Sequence, residues 1–106
     1  MILKSSKSAG VILMIIGSCE VYLSAEWVKS LKEKRMVVKS LVEKTKNKFN
    51  VSVAEVDKQD ILQSIVIGFA CVSNEKKHAQ SIIDNVIDYM EKNTDAVIDD
   101  IVTEIF

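Results

Sequence analysis

The chain has 106 residues, of which 48% are hydrophobic and 27% charged. This is the length of one domain and an ordinary globular composition, which excludes disorder over the whole chain. It has no proline and three glycines, which excludes collagen-like sequence and a glycine-rich phosphate loop. The net charge of −1 hides a strong separation, because residues 29–48 carry a net +6 and residues 80–106 a net −6. Either block can face a polar partner or mediate self-association, or can be a solvated surface.

The first apolar run allows two interpretations. Two lysines precede it and Cys19 follows it, which is the pattern of a short lipoprotein signal. However, about eight apolar residues are far fewer than the roughly 20 that span a bilayer. Residues 20–23 also continue a strand alternation. We therefore predict a β-strand over residues 11–23 behind a flexible extension of residues 1–10, in a cytoplasmic protein.

Alternation within this strand predicts one buried and one open face. The buried set is Ile15, Gly17, Cys19, Val21 and Leu23, and the open set is Met14, Ile16, Ser18, Glu20 and Tyr22. Cys19 and Cys71 lie far apart without a CxxC motif, and His78 is the single histidine, so no zinc site is predicted. Both thiols are expected to be buried and reduced. His78 is expected in the first turns of the second helix, as a surface or boundary residue at the edge of its apolar arc.

A helix is predicted from the capping box of Ser30 and Glu33 to about Lys48. Its exposed side carries a basic stripe within roughly 60° on the helical wheel, composed of Lys32, Arg35, Lys39 and Lys46. Such a stripe can follow a phosphate backbone, or it can be a solvated face. Lys34 falls inside the apolar arc. Its stem either extends past apolar neighbours to solvent, or its ammonium forms an ion pair with Glu55 or Asp57.

The next segment combines a short strand over residues 51–56 with a turn over residues 57–60. Alternation places Glu55 and Asp57 on the same side, and Asp60 follows the turn. Three carboxylates can bind a hard cation such as Mg²⁺ or act as an acid–base pair. They are equally typical of hairpin turns. No nucleophile, orienting histidine or glycine-rich loop accompanies them, so the chain is predicted not to be an enzyme.

The remaining elements complete a β-α-β-β-α-β order. A strand over residues 61–72 leads to a helix capped by Ser73 and Asn74, and a closing strand runs over residues 96–106. This order predicts an α+β, ferredoxin-like plait in which residues 11–106 form one domain. Its antiparallel sheet has the strand order 4-1-3-2, and both helices cover one face.

Four segments carry a resemblance to a known family: MIIGSCEVYL from Met14, SLKEKRMVVKSL from Ser30, NKFNVSVAEVDKQD from Asn47 and VSNEKKH from Val72. They resemble the YlxP-like bacterial proteins, a family with a domain-of-unknown-function label. The resemblance covers residues 14–106 and implies a ferredoxin-like fold. It also implies a gene that, in many bacteria, lies among translation and ribosome-maturation factors. It implies no known activity, cofactor or substrate.

Three classes of function remain open. The favoured class is a non-enzymatic accessory factor of translation or ribosome assembly that contacts RNA phosphates through the basic stripe. Base-specific reading is not expected, because neither central strand carries an aromatic RNA-binding signature. The second class is a homo-oligomeric interaction module without a nucleic-acid role. The third is an enzyme or metal and small-ligand binder that uses Glu55, Asp57 and Asp60.

The uncovered sheet face also predicts a homodimer. Met14, Ile16 and Tyr22 lie on this face, and the second and fourth strands form apolar edges without lysine or proline. We expect a two-fold dimer through the sheet face or an edge strand. The basic helix should lie outside this interface, because two such segments repel each other. No cofactor, membrane or small-molecule partner is predicted.

Overall fold

A computed structural model of the chain describes residues 14–106. The predicted extension over residues 1–10 and the predicted strand residues 11–13 lie outside this range. The elements are β1 (Ile15–Ser24), α1 (Leu31–Lys48), β2 (Ser52–Asp57), β3 (Ser64–Ser73), α2 (Lys76–Lys92) and β4 (Val97–Ile105). All strand pairs are antiparallel in the order β2-β3-β1-β4. This is the predicted order read from the other edge, so the α+β ferredoxin-like plait is confirmed.

The core lies between one face of the sheet and the two helices. The predicted inward residues of β1 are all buried, and they alternate with half-buried or exposed residues. The central strand β3 contributes Ile65, Ile67 and Phe69, and α2 contributes Ile83 and Met90. Alternation of period two in the strands and of three to four residues in the helices produces this arrangement. Neither helix is long and apolar enough to cross a membrane within residues 14–106.

The two helices begin differently. Ser30 is the N-cap of α1, and its hydroxyl accepts a hydrogen bond from the Glu33 backbone N–H at 3.1 Å. Glu33 in turn accepts from the Lys29 N–H at 2.7 Å. The N-cap of α2 is Glu75, which makes no side-chain capping hydrogen bond. The prediction that Ser73 and Asn74 cap this helix is therefore corrected.

Ser73 has a different role, since its hydroxyl lies 2.9 Å from the Nδ1 atom of His78 and accepts from the Glu75 N–H at 3.2 Å. His78 is exposed on the first turn of α2, in agreement with the predicted surface or boundary position.

The boundaries of β2 and β3 also differ from those predicted. β3 begins at Ser64 rather than at residue 61, because residues 58–63 form the connection that leaves β2. Lys58 has a φ of 57° in this turn. The pairing of β2 with β3 shifts between Glu55 and Asp57. This irregularity reverses the face on which the following residue lies.

Candidate functional site

The basic stripe lies on the outer surface of α1. Lys32, Arg35, Lys39 and Lys46 are all exposed, while Val38, Leu41 and Thr45 face the core. None of the four cations lies within 4.0 Å of a carboxylate in residues 14–106, where the ion pairs are Lys34–Glu55 and Lys92–Asp88. Their charges are therefore free to meet an external anion. The predicted helix places the stripe on one solvent-facing surface.

A groove borders the stripe on the side of α2. It has a volume of about 520 Å³, and its lining includes Trp27, Met36, Ser40, Lys44 and Asn93. Trp27 is the single tryptophan of the chain and is 42% exposed. The sequence analysis assigned no role to Trp27. The available signal was a lone aromatic residue directly before a basic helix.

Lys34 is the most completely buried charged side chain in residues 14–106, with 1% of its surface exposed. Its ammonium donates to the backbone carbonyls of Lys58 at 2.5 Å and Ile61 at 2.6 Å, and more weakly to Gln59 at 3.4 Å. It also lies 3.3 Å from the Glu55 carboxylate. The ion-pair interpretation of Lys34 is therefore confirmed, with Glu55 as the partner.

The predicted acidic cluster does not assemble. Glu55 pairs in register with Ile67 on the helix side, whereas Asp57 pairs with Val66 on the open side. The expectation that both carboxylates share one side is wrong, because the β2 irregularity intervenes. Asp57 accepts a hydrogen bond from the Lys58 N–H at 2.8 Å, and Asp60 is exposed in the turn. No group of three potential metal ligands occurs within the described residues.

The open face of the sheet carries the predicted interface residues. Met14 is exposed, and Ile16 and Tyr22 are half-buried. The Tyr22 hydroxyl donates to the Glu20 carboxylate at 2.9 Å. This hydrogen bond, with smaller effects from burial and neighbouring acids, raises the pKa of Tyr22 above its usual value. Glu20 thus has a fixed position on the face.

Both cysteines are free and buried, as expected. Burial raises the pKa of the Cys19 thiol, and the negative charge of nearby Glu20 raises it further. A hydrogen bond from the Thr103 hydroxyl, at 3.7 Å, partly opposes this rise. A raised pKa disfavours the thiolate, which is the reactive form. The geometry of Cys19 is that of a packing residue.

The charges of the sheet are of one sign. The four strands contain Glu20, Glu55, Asp57, Asp99, Asp100 and Glu104, and they contain no lysine, arginine or histidine. In residues 14–106 every basic side chain lies on a helix or a connection. The charge separation along the sequence therefore becomes a contrast between a basic α1 and an acidic sheet, while Asp84, Asp88 and Glu91 of α2 stay on the helix side.

Comparisons with known proteins agree with this geometry at the level of family and fold. A family model described as "Protein of unknown function (DUF503)" matches residues 16–103. The chain is 37% identical over 62 residues to the "Uncharacterized protein YlxP" of Bacillus subtilis (strain 168), which is 58% of this chain and 67% of the relative. The structure is similar to the "De novo designed protein Foldit4", with a TM-score of 0.50 and 12% sequence identity. The match covers 88% of this chain and 96% of the designed protein. This last likeness concerns the fold alone.

Proposed function

Because this chain belongs to DUF503, a family of proteins of unknown function, we infer its role from its own surface. We propose that it is a non-enzymatic accessory factor of translation or ribosome assembly that contacts RNA phosphates through α1. The observation that carries the proposal is the row of exposed cations without carboxylate partners on α1. The operon setting that the YlxP-like resemblance implies favours ribosomal RNA as the target.

Unpaired lysine and arginine side chains favour a polyanion for a physical reason. Each cation that meets a phosphate releases a condensed counterion, and this release drives binding at low salt. Lys32, Arg35 and Lys39 follow one another at helical spacing. Lys46 continues the row about two helical turns beyond Lys39. A phosphate backbone presents charges in a similar linear series. Binding of this kind positions a protein on RNA without reading its sequence.

The adjoining groove favours single-stranded over duplex RNA. An exposed aromatic ring next to cations is the combination on which unpaired bases stack. Trp27 provides the ring, and Lys44 provides a cation in the same groove. The bases of a duplex are already stacked on each other and leave no free base for Trp27. We therefore expect a single-stranded loop or end to bind more tightly than a duplex of equal length.

The test is a binding titration with a fluorescein-labelled oligouridine of twelve nucleotides, followed by anisotropy at several salt concentrations. We expect Lys32→Gln/Lys39→Gln/Lys46→Gln to weaken binding at least ten-fold. This variant should also reduce the slope of log affinity against log salt by roughly 2, since each single-strand phosphate contact contributes about 0.7. Co-sedimentation with ribosomal particles at low and high salt tests the ribosomal assignment separately.

The matched control is Lys58→Gln/Lys76→Gln/Lys77→Gln, which removes the same charge from exposed positions outside α1. It should retain the affinity and the salt slope of the unmodified protein. An equal loss in both variants would show that binding follows net charge and not the stripe. No association with oligouridine or ribosomal particles at any salt would overturn the proposal.

The stacking role has its own test. Trp27→Ala should weaken oligouridine binding by about 1–3 kcal/mol while leaving the salt slope unchanged, because it removes a ring and no charge. A matched duplex should be unaffected by the same substitution. Quenching of the fluorescence of the single tryptophan on RNA addition provides a second readout in the unmodified protein. A Trp27→Ala variant with unchanged single-strand affinity would remove the groove from the proposal.

A further inference from the structure

On the side of the sheet opposite the helices, Val66 is buried, but much of the remaining apolar surface has no cover in the described residues. Val72 is 65% exposed, and Met14, Val56 and Val102 are also exposed. Phe106 lies at the corner of the same surface, where its backbone pairs with that of Ile16. Contiguous apolar surface of this kind is uncommon on monomers and marks interaction sites.

The strand register shows how this face is shaped. Ser52, Ala70 and Ser18 follow one another across β2, β3 and β1, and Ala54 and Gly68 form the beginning of the next row. These small residues form the floor of a shallow depression about 330 Å³ in volume. Larger residues rise on both sides, with Ile16 and Val72 on one and Tyr22 and Val56 on the other. The face can therefore receive bulky apolar side chains between two apolar ridges.

The charges on this face restrict what can cover it. In register, Glu104 lies beside Ser18 and Val102 lies beside Glu20, so Glu20 and Glu104 occupy the β4 half of the depression. No strand supplies a cation to either. Covering a carboxylate that has no cationic partner is unfavourable, whereas a positioned lysine or arginine offsets the loss of hydration. The occupant of the face must therefore bring positive charge.

The surfaces that residues 14–106 of a second copy present do not match these requirements. Its own open face would bring further carboxylates and no cation. Its basic helix α1 would bring cations, but Met36 is the large apolar side chain exposed on that helix. The apolar side chains of α1 are already used in the core. Neither surface combines the apolar and the basic character that the open face requires.

We propose that the open face docks an amphipathic, basic α-helix of a partner protein. Four strands span about 14 Å between the outer strand axes, which is wide enough for one helix about 10 Å in diameter. Leucine-sized side chains of the helix fill the depression above Ser18 and Ala70, beside Val56, whose methyl groups already cover Gly68. Flanking lysine or arginine side chains pair with Glu20 and Glu104. Because α1 lies on the other side of the sheet, this docking is independent of RNA binding.

The test uses a designed probe, an 18-residue amphipathic peptide of leucine and lysine, titrated into the ¹⁵N-labelled protein and followed by NMR. We expect saturable binding, with chemical-shift changes centred on Ser18, Ala70 and Val102. Glu20→Lys/Glu104→Lys should weaken binding at least ten-fold and should gain affinity for a leucine–glutamate peptide of the same pattern. Val72→Ser should weaken binding several-fold, because it removes apolar contact and no charge.

Two controls separate docking from general attraction between opposite charges. Asp84→Lys/Glu91→Lys makes the same change in net charge at exposed positions of α2, and it should leave peptide affinity unchanged. A lysine–serine peptide without leucine should bind at least ten-fold more weakly. Equal losses in both charge variants, or shift changes centred on α2, would overturn the proposal. Concentration-dependent self-association of the free protein that shifts the amides of Ala70 and Val72, which lie on β3 away from the β4 edge, would also overturn it, in favour of a second copy.

Discussion

At the scale of single residues, Lys34 joins α1 to the β2–β3 connection. Its ammonium is surrounded by three backbone carbonyls and one carboxylate, and all four groups belong to residues 55–61. The Glu55 Oε2 atom is buried and accepts no hydrogen bond from residues 14–106, so its compensation is the charge of Lys34. Burying this ammonium is tolerable because all its donors have acceptors.

We predict that Lys34→Met destabilises the protein by about 3–5 kcal/mol, as expected when one member of a buried ion pair is removed. The substitution leaves the Glu55 carboxylate and the carbonyls of the turn without their partner. Glu55→Gln should cost less, because the ammonium keeps its carbonyl acceptors. Urea unfolding followed by circular dichroism measures both changes. A loss below 1 kcal/mol for Lys34→Met would contradict the assigned role.

The sequence left open whether Lys34 reaches solvent or forms an ion pair, and it did not indicate the carbonyl contacts. The helical wheel places Lys34 on the apolar arc of α1, a position from which either outcome is possible. The carbonyls become acceptors only through the path of the turn, which includes a positive φ at Lys58. A non-glycine residue in this conformation is held by its surroundings, and no sequence pattern here specifies it.

The raised pKa of Cys19 predicts a pH dependence of stability. The unfolded state releases the thiol proton at a lower pH than the folded state does. Once the pH exceeds 9.0, the ordinary pKa of a cysteine thiol, the unfolded state therefore binds fewer protons than the folded state. Stability contributed by this group is therefore complete below that pH and decreases as the pH rises above it. The decrease should be smaller in Cys19→Ala. Chemical denaturation between pH 8 and 10.5 compares the two proteins, and identical slopes would contradict the prediction.

At the scale of the elements, an interruption in strand pairing explains why Glu55 and Asp57 do not share one face of β2, as the sequence predicted. Alternation places residues two apart on the same face only if pairing is uninterrupted. The shift between Glu55 and Asp57 changes that relation, and the acidic residues separate to opposite faces. Interruption of this kind depends on how β2 fits against β3, including the approach of Val56 to Gly68. The uninterrupted alternation of β1, by contrast, was predicted correctly throughout its inward face.

The two N-caps give an element-scale prediction with opposite signs. Ser30→Ala should destabilise the protein by about 1 kcal/mol, since it removes the acceptor for the Glu33 N–H. Glu75→Ser should stabilise it by up to about 1 kcal/mol, because it supplies a capping hydroxyl where none is present. Thermal and urea unfolding measure both. If Glu75→Ser proves destabilising, the Glu75 side chain has a stabilising role at the start of α2 other than capping.

At the scale of the whole molecule, the fold converts a charge gradient along the chain into two chemically different sides. The basic segment becomes α1, and the acidic C-terminal segment is divided between α2 and β4. The charge blocks could be read from the sequence. Their placement in space requires the topology. α2 packs on the same side of the sheet as α1, whereas β4 pairs with β1 and carries Glu104 to the open face beside Ser18. RNA contact through one side and helix docking on the other are compatible for this reason.

The edge position of β4 also bears on the predicted homodimer. β4 is a nine-residue edge strand without proline or lysine, and such an edge is open to pairing with a second copy. The acidic open face disfavours stacking of two such faces, which leaves the edge as the better candidate. In a two-fold antiparallel pair centred on Ile101, Asp100 lies opposite Val102 and Asp99 opposite Thr103. Centring on Val102 would instead place Asp100 opposite Glu104, where like charges repel.

We therefore predict a homodimer through β4 in which the two Ile101 residues are direct neighbours. Ile101→Cys should form an intermolecular disulfide under mild oxidation, because the Cα atoms of residues directly opposite in an antiparallel pair lie about 4.5–5.5 Å apart. Val97→Cys should not, since its position lies opposite Ile105 in this register. Ile16→Lys should leave the mass from sedimentation equilibrium unchanged, whereas dimerisation through the sheet face would make it disruptive. Lys39→Glu should have no effect in either arrangement, so loss of the dimer in this variant would assign the contact to α1. If the unmodified protein is a monomer at all concentrations, self-association is contradicted.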